Sequence, residues 1–279
     1  MRNQINNADK CEQARRMFQK AKAVVCDIDG VLLSSGRAIP GAKELLATRR
    51  CVFVSNNSTH TSVSLAAQFQ SLGLVCRKEQ FFLAGEHAVE FIACHHAHSS
   101  VMVLASDDIA RLAEEKLELF DPALDRKPDL ILFCRDRELS FDKIQAAANA
   151  IKQGTKVVIS NLDLTHPADK GRIHTETGAL WQAVKAQIDD IEPMVVIGKP
   201  GIYLAVQAVK FLGFSPQELV FLGDNLTTDA PAAAKVGIPF IHIGDDGVRL
   251  VDLLSSKDER LVRGVLQSDV EAPLAAFVG

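Results

Sequence analysis

The most informative nine residues of the sequence read Val24-Val25-Cys26-Asp27-Ile28-Asp29-Gly30-Val31-Leu32. The apolar residues at the start predict a buried strand, which delivers two carboxylates, Asp27 and Asp29, onto a turn that Gly30 opens. Carboxylates at this spacing can hold a divalent cation between their oxygens, and one of them can attack phosphorus as a nucleophile. A calcium loop of the EF-hand type is disfavoured because its other ligands and its final glutamate are missing.

Outside this stretch, short β-branched runs alternate with segments of helical period. That alternation is typical of βαβ units and predicts a parallel sheet with a doubly wound, Rossmann-like α/β fold. The predicted strands are 23–26, 51–55, 101–105, 130–133, 156–160, 194–197, 219–223 and 239–243. The predicted helices are 41–49, 64–72, 109–120, 141–153, 178–188, 203–212 and 230–236.

Polar loop residues follow three of the predicted strands, at Asp27, Ser55 and Asp224. Ligands of open parallel sheets bind beyond the carboxyl ends of the strands. We therefore expect these three side chains to lie at one edge of a sheet, where they would form a single site.

The length and the distribution of polar strand ends predict two domains. The chain has 279 residues, more than the ~100–150 that one typical domain needs. Its middle has a strand-helix alternation of its own but fewer polar residues at strand ends. We expect a discontinuous core of residues 1–96 and 187–279, with an α/β cap domain inserted at 97–186.

Composition and charge exclude several kinds of partner. The formal net charge is −4, so no basic excess is available to displace counterions from a nucleic acid. The six cysteines include no C-x-x-C pair, which favours a reducing compartment. The polar N-terminus has no apolar signal core, and no apolar run approaches the ~20 residues of a membrane span. We expect a cytoplasmic protein with no membrane or nucleic-acid partner.

Four motifs carry a resemblance to a known family. Asp27-Ile28-Asp29-Gly30-Val31-Leu32 resembles the first motif of the haloacid dehalogenase superfamily of phosphotransferases. Three further motifs of that superfamily are matched in order by Val52-Phe53-Val54-Ser55-Asn56-Asn57, Gly198-Lys199-Pro200 and Phe221-Leu222-Gly223-Asp224-Asn225-Leu226-Thr227-Thr228-Asp229. Taken singly, G-K-P or S-N-N is weak evidence, but four motifs in the right order, each at a strand end, are specific.

The position of the inserted segment indicates which subclass of the superfamily the chain resembles. A long segment separates Ser55 from Lys199, as in subclass IIA, whose α/β cap lies between the second and third motifs. That subclass includes NagD, p-nitrophenyl phosphatases and pyridoxal phosphatases. Within the cap, Ile159-Ser160-Asn161-Leu162-Asp163 stands where the subclass commonly reads A-T-N-x-D. The resemblance covers nearly the whole chain beyond the first twenty residues.

The resemblance implies a Mg²⁺-dependent phosphatase that acts on a small phosphorylated metabolite. Asp27 is then expected to attack phosphorus and form an aspartyl phosphate. Asp29 would protonate the leaving oxygen and later activate water. Mg²⁺ would be held by Asp27, the backbone carbonyl of Asp29 and Asp224, with Asp229 as an orienting neighbour.

The same resemblance implies the groups that bind phosphate. The Ser55 hydroxyl, the Asn56 backbone amide and the Lys199 ammonium would stabilise the phosphoryl oxygens in the transition state. Three residues, two of them in the cap, are candidates for contacts with the rest of the substrate. Closure of the cap would exclude water from the site, and a homodimer through the cap is implied by analogy. These substrate candidates are Asn57, Asp163 and His166. For His166 an ordinary loop histidine before a proline is an equal alternative.

Other functions remain in view at this point. A phosphotransferase or phosphomutase would use the same aspartyl phosphate and differ in how well the cap excludes water. A non-catalytic phosphoacceptor or binding module of the receiver type also uses a strand-end aspartate and Mg²⁺, but it needs no acid equivalent to Asp29. A dehydrogenase is disfavoured because no G-x-G-x-x-G follows the first strand.

Overall fold

The computed structural model describes residues 2–123, 126–167, 171–188 and 191–255, with side chains described from residue 9 onward. The end of the predicted core, residues 256–279, lies outside the described residues. None of the described helices combines the length and the apolar character that crossing a membrane requires.

A five-stranded parallel sheet forms the first layer of the molecule. Its strands, in spatial order, are β13 (Phe240–His242), β12 (Leu219–Gly223), β1 (Ala23–Cys26), β4 (Cys51–Ser55) and β5 (Phe81–Leu83). The central strand β1 is the first in the chain, and later strands are added on both of its sides. The order therefore reverses at β1, which creates a crevice at the carboxyl ends of the central strands.

Helices cover both faces of this sheet because alternate strand residues point to opposite sides. Val24 and Cys26 pack on one side, and Val25 packs on the other. The first side is covered by α1 (Arg2–Lys20), α2 (Ala42–Thr48), α3 (Ser62–Ser71) and α10 (Leu250–Leu254). The second side is covered by α4 (Ala84–His95), α8 (Tyr203–Leu212) and α9 (Asp229–Val236). The predicted doubly wound α/β fold is confirmed.

A second parallel sheet is built from the middle of the chain. Its strands, in spatial order, are β11 (Val195–Val196), β8 (Lys156–Ile159), β7 (Leu130–Phe133) and β6 (Val101–Leu104). One face packs on α6 (Phe141–Lys152) and α7 (Thr177–Lys185), around the buried indole of Trp181. The other face packs on α5 (Asp107–Lys116).

The division into domains at 97 and 187 stays a prediction, but one strand bears on the second boundary. Val195 pairs with Val158 of β8, so β11 belongs to the second sheet although it follows residue 187. The chain therefore leaves the second sheet later than the predicted boundary.

Two short antiparallel hairpins project from the sheets. The first joins β2 (Leu33–Ser34) to β3 (Arg37–Ala38) and follows directly on the turn after β1. The second joins β9 (Thr165–Pro167) to β10 (Ile173–Thr175) and places His166 opposite His174. Neither hairpin was predicted, because strands of two or three residues carry too little alternation to be recognised.

Candidate active site

Asp27 lies at the carboxyl end of the central strand, one residue after β1 ends, and is 8% exposed. Its Oδ1 accepts a hydrogen bond from the backbone N–H of Ile28 at 2.7 Å and lies 2.7 Å from Nζ of Lys199. Burial and the charge of Asp229 raise the pKa of this carboxyl, and the Lys199 ammonium works in the opposite direction. Asp27 is thus a nearly buried carboxylate in direct contact with a cation.

Lys199 is one of the most buried charged side chains of the described chain, at 2% exposed. Its Nζ lies 2.7 Å from Oδ1 of Asp27 and 2.7 Å from Oδ1 of Asp229. Burial lowers the pKa of Lys199, but the charges of Asp229 and Asp27 and their hydrogen bonds together raise it above the ordinary value. The ammonium is therefore charged and held between two carboxylates.

Asp229 begins α9 and is fully buried. Its Oδ2 accepts a hydrogen bond from the backbone N–H of Asn225 at 3.1 Å, and its Oδ1 faces Lys199. Gly223 makes this position possible, because a Cβ at Gly223 would lie 2.4 Å from Oδ2 of Asp229. Oδ2 is thus hydrogen-bonded and Oδ1 is paired with the Lys199 ammonium, and the orienting role of Asp229 stays a prediction.

The carboxylates of Asp27, Asp224 and Asp229 form a cluster in which one oxygen of each lies within 4.8 Å of the other two. Desolvation and the charge of Asp229 raise the pKa of Asp224 to about 6. Like charges this close repel each other, and a divalent cation would relieve that repulsion. Among the described residues, the contacts of Asp229 engage both of its oxygens, whereas those of Asp27 engage Oδ1 alone, so Asp27 and Asp224 are the side chains that fit Mg²⁺ as oxygen ligands.

Gly30 lets the turn after β1 approach Asp224 closely. Its φ is +79°, and a Cβ built there would lie 1.9 Å from Oδ2 of Asp224. No residue with a side chain fits this position without moving the Asp224 side chain. The turn that carries Asp29 and the loop that carries Asp224 are therefore packed against each other through a glycine.

Asp29 lies two residues after Asp27, with part of its surface exposed and its carboxyl against the surrounding protein. Desolvation by the surrounding protein raises the pKa of its carboxyl, and the charges of His166, Lys199 and His60 act in the opposite direction. A raised pKa favours the protonated form, which is the form a general acid needs.

Ser55 ends β4 beside β1 and is buried, at 3% exposed. Its Oγ accepts a hydrogen bond from the backbone N–H of Asn57 at 3.1 Å. The side-chain carbonyl of Asn57 accepts from the backbone N–H groups of Thr59 and His60, at 3.1 and 2.9 Å. Asn57 thus shapes its own loop, and its proposed contact with substrate stays a prediction.

The side chain of Asn56 connects three segments of the chain. Its Oδ1 accepts from the backbone N–H of Lys199 at 2.7 Å, and its Nδ2 donates to the carbonyl of Lys199 at 3.0 Å. Nδ2 also donates to Oδ2 of Asp163 at 2.8 Å. The sequence predicted a role for the backbone amide of Asn56 only, so these side-chain contacts are new.

His166 and Asp163 lie on the side of the site formed by the second sheet. Nδ1 of His166 lies 2.5 Å from Oε1 of Glu176, which also pairs with the Arg135 guanidinium at 3.0 Å. A cleft of about 1210 Å³ is lined in part by His60, Arg135 and His166. His166 is therefore held by the carboxylate of Glu176, and the cleft that it lines includes none of Asp27, Asp29, Ser55, Lys199 and Asp224.

Sequence reasoning missed three residues around the site. Asn161 donates from Nδ2 to the backbone carbonyl of Asn56 at 2.8 Å. Its place in the segment that resembles A-T-N-x-D was the signal that could have revealed it. Arg135 and Glu176 belong to no motif, and because they are far apart in sequence nothing local indicated their pairing.

Comparisons with known proteins agree with this geometry. A haloacid dehalogenase-like hydrolase family model matches residues 24–116, and an HAD-hydrolase-like model matches residues 196–264. The first range holds Asp27, Asp29 and Ser55, and the second holds Lys199 and Asp224.

Three similar proteins illustrate the likeness. Chronophin from Mus musculus is 30% identical over 248 residues, which is 82% of this chain and 84% of chronophin. The 5′-nucleotidase YutF from Bacillus subtilis is 26% identical over 230 residues, 80% of this chain and 88% of that protein. A glycerol phosphate phosphatase from Mycobacterium tuberculosis, solved with calcium, is 25% identical with a TM-score of 0.73, covering 84% of this chain and 68% of that one.

The match to chronophin, the two family models and the shared fold lead to one assignment. Phosphatases of the NagD and p-nitrophenyl phosphatase group are among the similar folds. The chain therefore belongs to the haloacid dehalogenase-like hydrolases and is a phosphatase of that family.

Proposed function

We propose that the protein hydrolyses a small phosphate monoester through an aspartyl phosphate on Asp27, with Asp29 as general acid and base and with Mg²⁺ as cofactor. The contact of Asp27 with Lys199 at 2.7 Å, at the carboxyl end of the central strand, is the observation that carries the proposal. Asp27 in this contact is the proposed nucleophile, and Lys199 is the fixed cation for the phosphoryl group. Asp29, the second carboxylate, follows Asp27 by two residues.

The first step is attack by a carboxylate oxygen of Asp27 on phosphorus. The bond from phosphorus to the leaving oxygen breaks, and Asp29 gives that oxygen its proton. In the second step Asp29 takes a proton from water, the water oxygen attacks phosphorus, and the acyl phosphate bond breaks to regenerate Asp27. The raised pKa of Asp29 supports the acid role, and the exposed part of its surface gives it access to the leaving group.

Phosphate binding is assigned to three groups that converge around Asp27. Ser55 ends the neighbouring strand, Asn56 follows it, and the Lys199 ammonium touches Asp27 itself. Donors fixed in advance around a phosphoryl group stabilise the charge that spreads over its oxygens in the transition state. Asp229 holds the lysine in place by its second ion pair.

Members of this family use a divalent metal, and Mg²⁺ is our proposal for this chain. Asp27 and Asp224 would bind it through their side chains, and the backbone carbonyl of Asp29 is the expected third protein ligand. The bound cation would supply charge neutralisation that lets an anionic substrate approach clustered carboxylates. The same M. tuberculosis phosphatase has also been solved with magnesium.

The substrate is proposed to be a small phosphorylated metabolite. The names of the relatives point to nucleoside monophosphates and glycerol phosphate as classes to test first. His166 is proposed to contact the leaving group, because its charge lowers the pKa of Asp29, the proposed general acid. His166→Ala should then change selectivity among phosphate esters while p-nitrophenyl phosphate turnover persists. Unchanged selectivity would argue for a loop histidine.

The experiment is a phosphate-release assay on a panel of esters with Mg²⁺ or EDTA. The panel holds p-nitrophenyl phosphate, nucleoside monophosphates, glycerol phosphate and sugar phosphates. Metal-dependent release that Asp27→Asn lowers by about 10⁴-fold or more supports the proposal, since removal of a nucleophile costs that order. Release that EDTA does not affect, or that persists in Asp27→Asn, would refute it.

The cellular setting follows from the same proposal. All six cysteines are free, which supports a reducing compartment such as the cytoplasm. Neither nucleic acid nor membrane is proposed as a partner. A homodimer through the cap stays a prediction, and light scattering after size exclusion would test it.

A further inference from the structure

The segment Ser160–Asp163 leaves the second sheet at the end of β8 and touches both loops that carry the phosphate-binding groups. The carbonyl of Ser160 accepts from the backbone N–H of Gly198 at 2.7 Å. Asn161 donates to the carbonyl of Asn56, and Asp163 accepts from its side chain, both at 2.8 Å. The segment is therefore bonded to the loop after β4 and to the loop before Lys199 at once.

The Asn56 side chain is the point where these bonds meet. One edge of its amide makes two hydrogen bonds to the backbone of Lys199: Oδ1 accepts from the N–H, and Nδ2 donates to the carbonyl. The remaining N–H of Nδ2 reaches Asp163. Without that acceptor the amide would leave a donor unsatisfied and could rotate away from Lys199. Asp163 thus fixes the rotamer on which the Lys199 backbone depends.

The packing at Gly198 shows how tightly the arrangement is fitted. A Cβ at Gly198 would lie 2.4 Å from Oδ1 of Asn56 and 2.8 Å from the carbonyl of Ser160. Asp163 is itself held from two sides, since its N–H donates to Oδ1 of Asn161 and its carbonyl accepts from the N–H of Gly178. The backbone of Asp163 is therefore fixed at its N–H and its carbonyl, and its carboxylate is already engaged by Asn56.

We propose that Asp163 is a positioning residue, which acts through Asn56 to hold the Lys199 ammonium against Asp27, and that it does not contact the leaving group. The proposal rests on the proposed function, because it assigns Lys199 to the phosphoryl group. It replaces the expectation, drawn from the sequence, that Asp163 touches substrate. Residues 160–163, which follow β8 of the second sheet, would then position the phosphate-binding groups as well as contribute to specificity.

The test compares Asp163→Ala with Asp163→Asn, whose side-chain oxygen still accepts from Asn56. Turnover is measured on p-nitrophenyl phosphate and glycerol 1-phosphate, which share the phosphoryl group but differ in leaving group. Inorganic phosphate, which has no leaving group, is the inhibitor. A buried aspartate elsewhere in the second domain, Asp136, pairs with Lys143 and provides the matched control Asp136→Ala.

A positioning role predicts that Asp163→Ala lowers kcat/KM by the same factor for both esters, about 10- to 100-fold, because small misplacement of a reacting group costs that much. Inhibition by inorganic phosphate should weaken by about 10-fold in the same variant, the loss of one hydrogen bond to a charged group. Asp163→Asn should recover most of both losses, and Asp136→Ala should keep wild-type activity.

Three results would overturn the proposal. They are a loss confined to one ester with phosphate inhibition unchanged, wild-type activity in Asp163→Ala, and an Asp163→Asn variant as impaired as Asp163→Ala. Thermal unfolding checks that each variant is folded, and Asp163→Ser, whose hydroxyl is too short to reach Asn56, replaces the alanine variant if that one is not. Turnover by wild type and Asp27→Asn in the same assay tests the proposed function separately.

Discussion

At the scale of single residues, the site depends on glycines that let charged groups come close. Gly30 faces Asp224, and Gly223 faces Asp229, each at a distance that excludes a side chain. Backbone without a Cβ allows three carboxylates and a lysine to occupy a volume that larger residues would fill. The close approach of these loops is therefore a requirement of the site.

Gly30→Ala tests this requirement. The new methyl group would collide with Oδ2 of Asp224, so we expect kcat/KM with p-nitrophenyl phosphate to fall by about 100-fold, the cost of displacing a group in the site. The positive φ of Gly30 adds about 1 kcal/mol of destabilisation. The measurements are steady-state kinetics and denaturant unfolding.

Gly36→Ala is the matched control for that variant. Gly36 has a φ of +73°, close to that of Gly30, but no atom of the described residues lies within 4 Å of its added Cβ. It should therefore lose about 1 kcal/mol of stability and keep its activity. Equal activity in the two variants would show that the contact between Gly30 and Asp224 is unimportant.

Residue identities along the chain predicted much of the site but not its contacts. Asp27, Ser55, Lys199 and Asp224 were recognisable because each follows an apolar strand within a motif. The side-chain contacts of Asn56 were not, because they join residues 107 and 143 positions apart. No local pattern encodes such a pairing.

At the scale of elements, the central strands were the easiest to predict. β1, β4, β7 and β12 have the predicted bounds, since each is a continuous apolar run buried on both faces. By contrast α1 was missed. Its residues are mostly polar, and only the spacing of Ala14 and Phe18, which pack on the core, hinted at a helix.

The strand β5 was missed for a different reason. It has only three residues, and α4 begins directly at Ala84 with no turn residue in between. A short apolar run that flows into a helix has no boundary for a pattern to detect. Its parallel pairing with β4 creates the strand, which is a tertiary effect.

The helix α4 carries a histidine that should make stability depend on pH. Burial lowers the pKa of His87, although the charges of Glu90 and Glu86 oppose this. A depressed pKa means that the unfolded chain binds the proton more readily, so stability falls as pH drops below the unfolded pKa of about 6.5. The expected loss from this group is up to about 1.4 kcal/mol per pH unit, until the folded pKa is reached.

His87→Phe tests that dependence. Urea unfolding is measured from about pH 7 to about pH 5, a range that spans the ordinary histidine pKa of roughly 6.5. The variant should lose less stability than wild type over this range. His98→Phe, at an exposed position beyond α4, should follow wild type. Parallel pH profiles for wild type and His87→Phe would contradict the assignment to His87.

At the scale of the whole molecule, the site is assembled from loops of both sheets around one carboxylate cluster. Mg²⁺ should bind only the folded state, because only that state assembles the cluster. Its binding should therefore raise the free energy of unfolding of the whole protein. At a concentration of about 100 times Kd the expected gain is about 2.7 kcal/mol. Thermal unfolding with Mg²⁺ and with EDTA measures it without any substrate.

Asp224→Asn is the comparison variant for that measurement. It removes one proposed ligand and the charge that makes the cluster attractive to a cation. We expect the variant to show little or no stabilisation by Mg²⁺ at the concentration that stabilises wild type. Equal stabilisation of both proteins would place the cation elsewhere.

The central claim is that Asp27 becomes phosphorylated during turnover, and the most direct test is to trap that species. Asp29→Asn should slow hydrolysis of the intermediate, so the variant is mixed with p-nitrophenyl phosphate and Mg²⁺, quenched in acid and mapped by mass spectrometry. We predict one added phosphoryl group on the peptide that contains Asp27, and none when Asp27→Asn is combined with it. Phosphorylation at another residue, or product formation with an unmodified Asp27 peptide at every time point, would contradict the account.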